Sequence, residues 1–240
     1  MNVLELFSGS RSIGKEANKR GHNVFSVDNI DYPKTNWVGD IMDWDYRINE
    51  IEVGELKEFY IPDILWASPP CVDFSVSCIG RKWTSGFEYK PKDPNLLGIK
   101  ILNKTIEIIK FYLEKNPNLI WYVENPRGKM RKSPAWNTLN HRRETVTFCQ
   151  FETDKKREER RMKPTDVWTN DFKWIPRKMC KNGDLCHQSA PRGSQTGTQG
   201  LKNAYERSKI PTDLCEAIIM SAEENLINLN LNNYERSRKI

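Results

Sequence analysis

No stretch of the chain approaches the roughly 20 consecutive apolar residues that span a bilayer. Only 38% of the 240 residues are hydrophobic, and the mean hydropathy is −0.72. The opening MNVLELF has no charged leader ahead of an apolar segment, so neither a spanning helix nor a secretory signal is expected. A soluble, cytoplasmic protein without a membrane partner is the expectation. Cysteine is scarce too: Cys71, Cys78, Cys149, Cys180, Cys186 and Cys215 are too few for a disulfide scaffold, which fits a reducing compartment. Internal repeats are absent. The length suffices to bury roughly 70% of the unfolded surface without staples, as one large domain or one domain with a small appendage.

What the chain does have is charge in one place. Residues 1–126 carry 15 Lys and Arg against 18 Asp and Glu; residues 127–181 carry 16 against 7, a net +9; residues 182–240 balance at 7 and 7. A neutral-to-acidic body with one basic segment suggests either a docking face for a polyanion or a solvated charged surface.

Short apolar runs alternate with helical patterns through residue 126. NVLELF (2–7), HNVFSVD (22–28), WVGDI (37–41), PDILWAS (62–68) and LIWYVENP (119–126) read as strands. SIGKEANKRG reads as a helix with Ser12 at its N-cap and Gly21 at its stop, and a long helix starts at Asn95 and ends near Pro117. This is the pattern of an α/β fold with a doubly wound, mostly parallel sheet, whose ligands bind at the carboxyl ends of the strands. Beyond it, TVTFCQF (145–151) is a further strand, ETDKKREERRMKP (152–164) a mobile charged loop, and 182–200 an irregular turn-rich stretch. An amphipathic helix over 210–229 precedes a frayed polar tail.

Each strand end in the first half carries chemistry. LFSGSRSIG is a glycine-containing turn into a helix, where backbone N–H groups meet a ligand. Asp28 is placed to accept from ribose hydroxyls and Asp40 from an adenine amino group. In SPPCVDFS the two prolines rigidify the backbone ahead of Cys71, and an exposed, oriented thiol suggests that its thiolate is used. VENPRG brings Glu124 and Asn125 to the neighbouring strand end. A nucleophile facing a carboxyl is a catalytic arrangement.

The ordered set ELFSGS, Asp28, GDI, SPPCVDFS and VENP resembles the DNA (cytosine-carbon-5) methyltransferases, and IPTDLCEAI is similar to that family's last motif. The middle region resembles that of phage and prophage members. The resemblance implies a class I S-adenosylmethionine-dependent methyltransferase fold. It also implies a catalytic core over 1–128, a small basic, irregular target-recognition region over 129–205, and a C-terminal helix over 206–240 that returns to the core. It implies a monomer that flips a cytosine out of double-stranded DNA, with Cys71 adding to ring carbon 6 and Glu124 binding ring nitrogen 3. Asn125 would hold backbone at the site, and Arg161, or else Lys163, the base's carbonyl oxygen. S-adenosyl-L-methionine would lie on Phe7, Ser8, Gly9, Ser10, Asp28, Asn29, Asp40, Ile41, Pro69, Leu97 and Ser208. Two departures matter. Arg11 stands at the family's second loop glycine, so the loop opens differently or Arg11 points outward. Arg207-Ser208 replaces a Gly-Asn pair.

Cys180, Cys186 and His187, with Cys149, could hold a zinc ion, but adjacent Cys-His departs from common zinc spacing, so no metal is expected and the thiols read as unpaired. An RNA cytosine methyltransferase and a catalytically inactive DNA-binding relative remain open alternatives.

Overall fold

A computed structural model of the chain describes residues 1–48, 50–53, 56–85, 88–189 and 203–237. In chain order the elements are β1 (Asn2–Leu6), α1 (Ser12–Lys19), β2 (Asn23–Asp28), β3 (Trp37–Val38), the hairpin β4 (Glu50–Val53) and β5 (Leu56–Phe59), β6 (Ile64–Ala67), α2 (Leu97–Lys115), β7 (Ile120–Pro126), β8 (Arg142–Thr147), β9 (Pro164–Thr169), α3 (Ala204–Ser208) and α4 (Thr212–Ser237). Seven strands form one sheet in the order β3-β2-β1-β6-β7-β9-β8. The first five run parallel, and β9 and β8 close the edge antiparallel. The sheet is therefore mostly parallel and doubly wound, with the strand order reversing between β1 and β6, where such sheets open a ligand crevice.

The strands are apolar on both faces because helices cover both. In β1, Leu4 and Leu6 join one core with Leu65, Ala67 and the α2 residues Leu102, Ile106 and Ile109. Val3 points the other way, to a core with Ile64, Trp66 and the α4 residues Leu214, Ile218 and Ile219. This is the two-residue alternation of a strand, and each such side chain contributes about 1.5–3 kcal/mol on burial. The returning C-terminal helix packs against α1, and Arg20 and His22 bond Glu223 across that contact.

The structure departs from the sequence reading in several places, among them the β4–β5 hairpin and the 3-10 turn over Phe148–Phe151, which the sequence reads as the end of a strand. The 129–205 region adds two strands to the main sheet, and β9 has no counterpart among the elements read from the sequence. The charged loop 152–164 is folded on itself, with Arg160 donating to the Lys155 carbonyl and Arg161 fully buried. The tail read as frayed is helical through Ser237. Of the turn-rich stretch 182–200, residues 190–200 lie outside the described residues, as do 238–240. Among the described residues no helix is long and apolar enough to cross a membrane.

Candidate active site

The turn after β6 presents Cys71, which is exposed. Three contacts hold the turn. Asn125 of β7 donates to the Pro69 carbonyl at 2.8 Å. The Lys129 N–H donates to the Phe74 carbonyl at 2.8 Å. The Gly98 N–H at the start of α2 donates to the Asp73 carboxylate at 2.7 Å. Gly128 makes the second contact possible, since a Cβ there would lie 2.2 Å from the Phe74 carbonyl oxygen. Backbone cannot yield as a side-chain end can, so Gly128→Ala is expected to destabilise the fold by about 1–3 kcal/mol. It should also lower activity by displacing Cys71; thermal unfolding and turnover, measured together, check both.

Glu124 and Lys163 meet Cys71 in one cavity of about 440 Å³. β7 runs parallel to β6, so its carboxyl end delivers Glu124 beside the Cys71 turn. β9 runs antiparallel to β7, so its beginning, not its end, lies at the same rim, which brings in Lys163. Glu124 is buried, and its Oε1 has no hydrogen-bond partner among the described residues. Burial pushes its carboxyl above the usual range, with the Lys163 ammonium pulling partly back. Desolvation likewise pushes the Cys71 thiol up, because protein surrounds the sulfur even though the residue is open to solvent; Lys163 opposes this and Glu124 adds to it. Burial pushes Lys163 down, against the attraction of Glu124 and Cys71. An acid that resists ionising and a thiol beside a cation can serve as proton donor and nucleophile.

The residues expected around a cofactor line this cavity and a second of about 170 Å³ that shares Phe7 and Pro70 with it. Phe7, Ser8, Gly9, Ser10, Pro69 and Ser208 border the first; Asp28, Asn29, Asp40, Ile41 and Leu97 border the second. Asp28 accepts the Gly9 N–H at 2.8 Å and the Ile30 N–H at 3.0 Å, so one carboxylate shapes both loops. The Ser8 hydroxyl is buried without a partner among the described residues. Ser12 is the first helical residue rather than the cap, and its hydroxyl accepts the Ile210 N–H, fastening the α3–α4 joint over the cavity.

At two positions the sequence leaves alternatives open, and the structure favours one of each. Arg161 does not line the cavity: its guanidinium is held by Glu152 and by the carbonyls of Glu206, Arg207 and Lys209. It braces the segment carrying Ser208, and Lys163 stands at the cavity instead. Arg11 points inward. It takes the left-handed conformation (φ 53°) that favours glycine, and its Nε donates to the Ser26 hydroxyl at 2.9 Å. Its charge also draws on buried Glu5, whose carboxyl burial pushes up to about 7.

Cys149, Cys180, Cys186 and His187, distant in sequence, gather with their ligand atoms within 4.8 Å of one another, despite a spacing that argued against it.

No protein-family model matches the chain. It is 31% identical over 194 residues, 78% of each chain, to a "Probable DNA (cytosine-5)-methyltransferase" of Frog virus 3 (isolate Goorha). Two solved structures match at low similarity: a Spodoptera frugiperda DNMT2 mutant (17% identity, TM-score 0.43) and the S. pombe Dnmt2 methyltransferase (14%, 0.39). They cover 75% and 72% of this chain, which spans 53% and 50% of theirs. By the extent and identity of the viral match, the chain belongs to the DNA (cytosine-5)-methyltransferase family.

Proposed function

We propose that the chain methylates carbon 5 of cytosine in double-stranded DNA, using S-adenosyl-L-methionine. One observation carries the reading: Cys71 and Glu124, from adjacent strand ends, open into one cavity where a buried carboxyl oxygen has no partner among the described residues. In the chemistry this supports, the Cys71 thiolate forms a bond to ring carbon 6 while Glu124 gives its proton to ring nitrogen 3, leaving an enamine with a nucleophilic carbon 5. Lys163, at the same cavity, faces the base's carbonyl oxygen. After methylation a water molecule at the open cavity takes the carbon-5 proton, and the electron pair left behind restores the ring double bond. The sulfur–carbon-6 bond breaks to release the Cys71 thiolate, and Glu124 recovers its proton from ring nitrogen 3.

S-adenosylmethionine supplies an electrophilic methyl on sulfur. Asp28 and Asn29 would hold its ribose, Asp40 and Ile41 its adenine, and Phe7 and Leu97 would pack on it. Ser8, Gly9, Ser10, Pro69 and Ser208 would contact the remainder, with the unpartnered Ser8 hydroxyl free to bond it.

A cytosine inside a duplex cannot reach this cavity and must be flipped out. Arg127 and Lys132 are exposed around an open groove beside Val76 and Ile79 of the Cys71 loop, and exposed Arg143 lies on the adjoining surface. They suit phosphate contacts, and residues 129–205 the reading of the target. Replacing all three with alanine should lower the slope of log affinity against log salt by about one per lost contact, as titrations at several salt concentrations would show.

Lys163→Met should lower turnover at pH 7 by about 10–100-fold. Without the ammonium the thiol pKa rises further, so the rising limb of the kcat/KM profile moves to higher pH; a pH–rate series checks the direction.

Transfer of labelled methyl to duplex DNA and to transfer RNA tests the reading. Label recovered as 5-methylcytosine from the duplex supports it. Label in RNA alone, or in neither, overturns it.

A further inference from the structure

We propose that Cys149, Cys180, Cys186 and His187 form a closed, structural zinc site outside the catalytic cavity. The sulfurs of Cys149 and Cys180 are 3.2 Å apart and those of Cys149 and Cys186 3.7 Å apart. His187 Nδ1 lies 3.8 Å from the Cys180 sulfur and 3.3 Å from that of Cys186. A tetrahedron with zinc–sulfur bonds of about 2.3 Å and zinc–nitrogen bonds of about 2.0 Å has edges of about 3.5–3.8 Å. Four of the six edges are thus close to these values, and since all four atoms lie within 4.8 Å of one another, a contraction of about 1 Å across the remaining pairs closes the tetrahedron around the ion.

The surroundings suit a metal better than free thiols. Cys149, Cys180 and His187 are buried, and Cys186 is half-buried. A disulfide would use two sulfurs and leave a third thiol and an imidazole packed beside it. Three soft sulfur ligands and one imidazole are a donor set that selects zinc among abundant divalent ions. With four protein ligands no position is left for a substrate, which makes the site structural. The adjacent Cys186-His187 pair, unusual by spacing, is accounted for by the ligating atom. Nδ1 sits nearer the backbone than Nε2, so neighbouring side chains can converge on one point.

The site links segments that have little else in common. Cys149 lies in the short helix after β8, and the other ligands in a stretch with no strand or α-helix of its own. The Arg157 side chain donates to the His187 carbonyl, tying in the charged loop. The Cys149 N–H donates to the Arg161 carbonyl, and the Phe148 ring lies 4.6 Å from Lys163 Nζ. The metal would thus brace the segment that sets Lys163 at the catalytic cavity. Binding displaces the three thiol protons to solvent, so a zinc dication and three thiolates leave a net charge of −1.

Metal analysis of the purified full chain, after dialysis against a weak chelator, tests the site without reference to activity. About one zinc per chain is expected, with full content kept in Cys71→Ser and lost in Cys149→Ser and Cys186→Ser. Should those variants fail to fold, cobalt exchanged into the unaltered chain must give the intense absorption of a tetrahedral thiolate site. Less than about a tenth of an equivalent of zinc, zinc retained in both cysteine variants, or cobalt spectra lacking thiolate bands would each overturn the proposal.

Discussion

Cys71→Ser is expected to reduce methyl transfer by about 10⁴-fold or more while leaving the fold intact. The argument rests on what each atom can do. Carbon 5 of cytosine is a weak nucleophile until something adds at carbon 6, and among the described residues no other thiol lines the cavity. Serine keeps the size and position of the side chain but ionises far less readily than a thiol, so addition at carbon 6 all but stops. Cys71 is exposed, and none of the three hydrogen bonds that hold the turn involves its sulfur. The turn is held by the Pro69, Asp73 and Phe74 contacts, all of which the variant keeps. Its unfolding free energy should therefore change by less than about 0.5 kcal/mol. Single-turnover methylation alongside thermal unfolding separates the two effects.

Glu124→Gln should cost about 10²–10⁴-fold, the contribution of a positioned proton donor. Glutamine fills the same buried volume and can still donate a hydrogen bond to ring nitrogen 3. It cannot hand over a proton, so the enamine forms without neutralisation. The pH dependence distinguishes this from a packing defect. Burial raises the Glu124 pKa, so the protonated, active form persists to higher pH than an ordinary carboxyl allows and is lost as pH rises through that value. The falling limb that this produces in the wild-type profile should vanish in the variant. A limb that survives unchanged would mean that another group is the acid.

The parallel half of the sheet was legible because each βα unit writes its pattern locally. Apolar runs mark β1, β2, β6 and β7, and the unusual residues at their ends fall together because parallel neighbours end on the same side. Cys71 and Glu124 could be juxtaposed from order alone. β9 was not legible in this way. It pairs antiparallel with β7, so its first residues carry the chemistry, and nothing within PTDVWT reveals which strand it joins. The choice between Arg161 and Lys163 therefore stays open in the sequence. Two residues apart, they differ in whether the backbone aims them at the cavity or at Glu152. Of the two alternatives that the sequence offers for Arg11, the outward one fails because buried Glu5 and Ser26 give the guanidinium an internal site, although a charged side chain normally seeks water. The cysteine cluster was obscured by a spacing rule that presumes ligands on one hairpin, whereas here the chain returns to Cys149 after about thirty residues.

The most direct test of the central claim is covalent capture. A long duplex containing 5-fluorocytosine throughout offers every sequence context. Once its carbon 5 carries both fluorine and methyl there is no proton to lose, so the sulfur–carbon-6 bond cannot break. Incubated with this duplex and S-adenosylmethionine, the protein should form a denaturation-resistant adduct that maps to Cys71 on peptide mass analysis and is absent in Cys71→Ser. No adduct with the wild-type protein, or one mapped to another residue, would contradict the account.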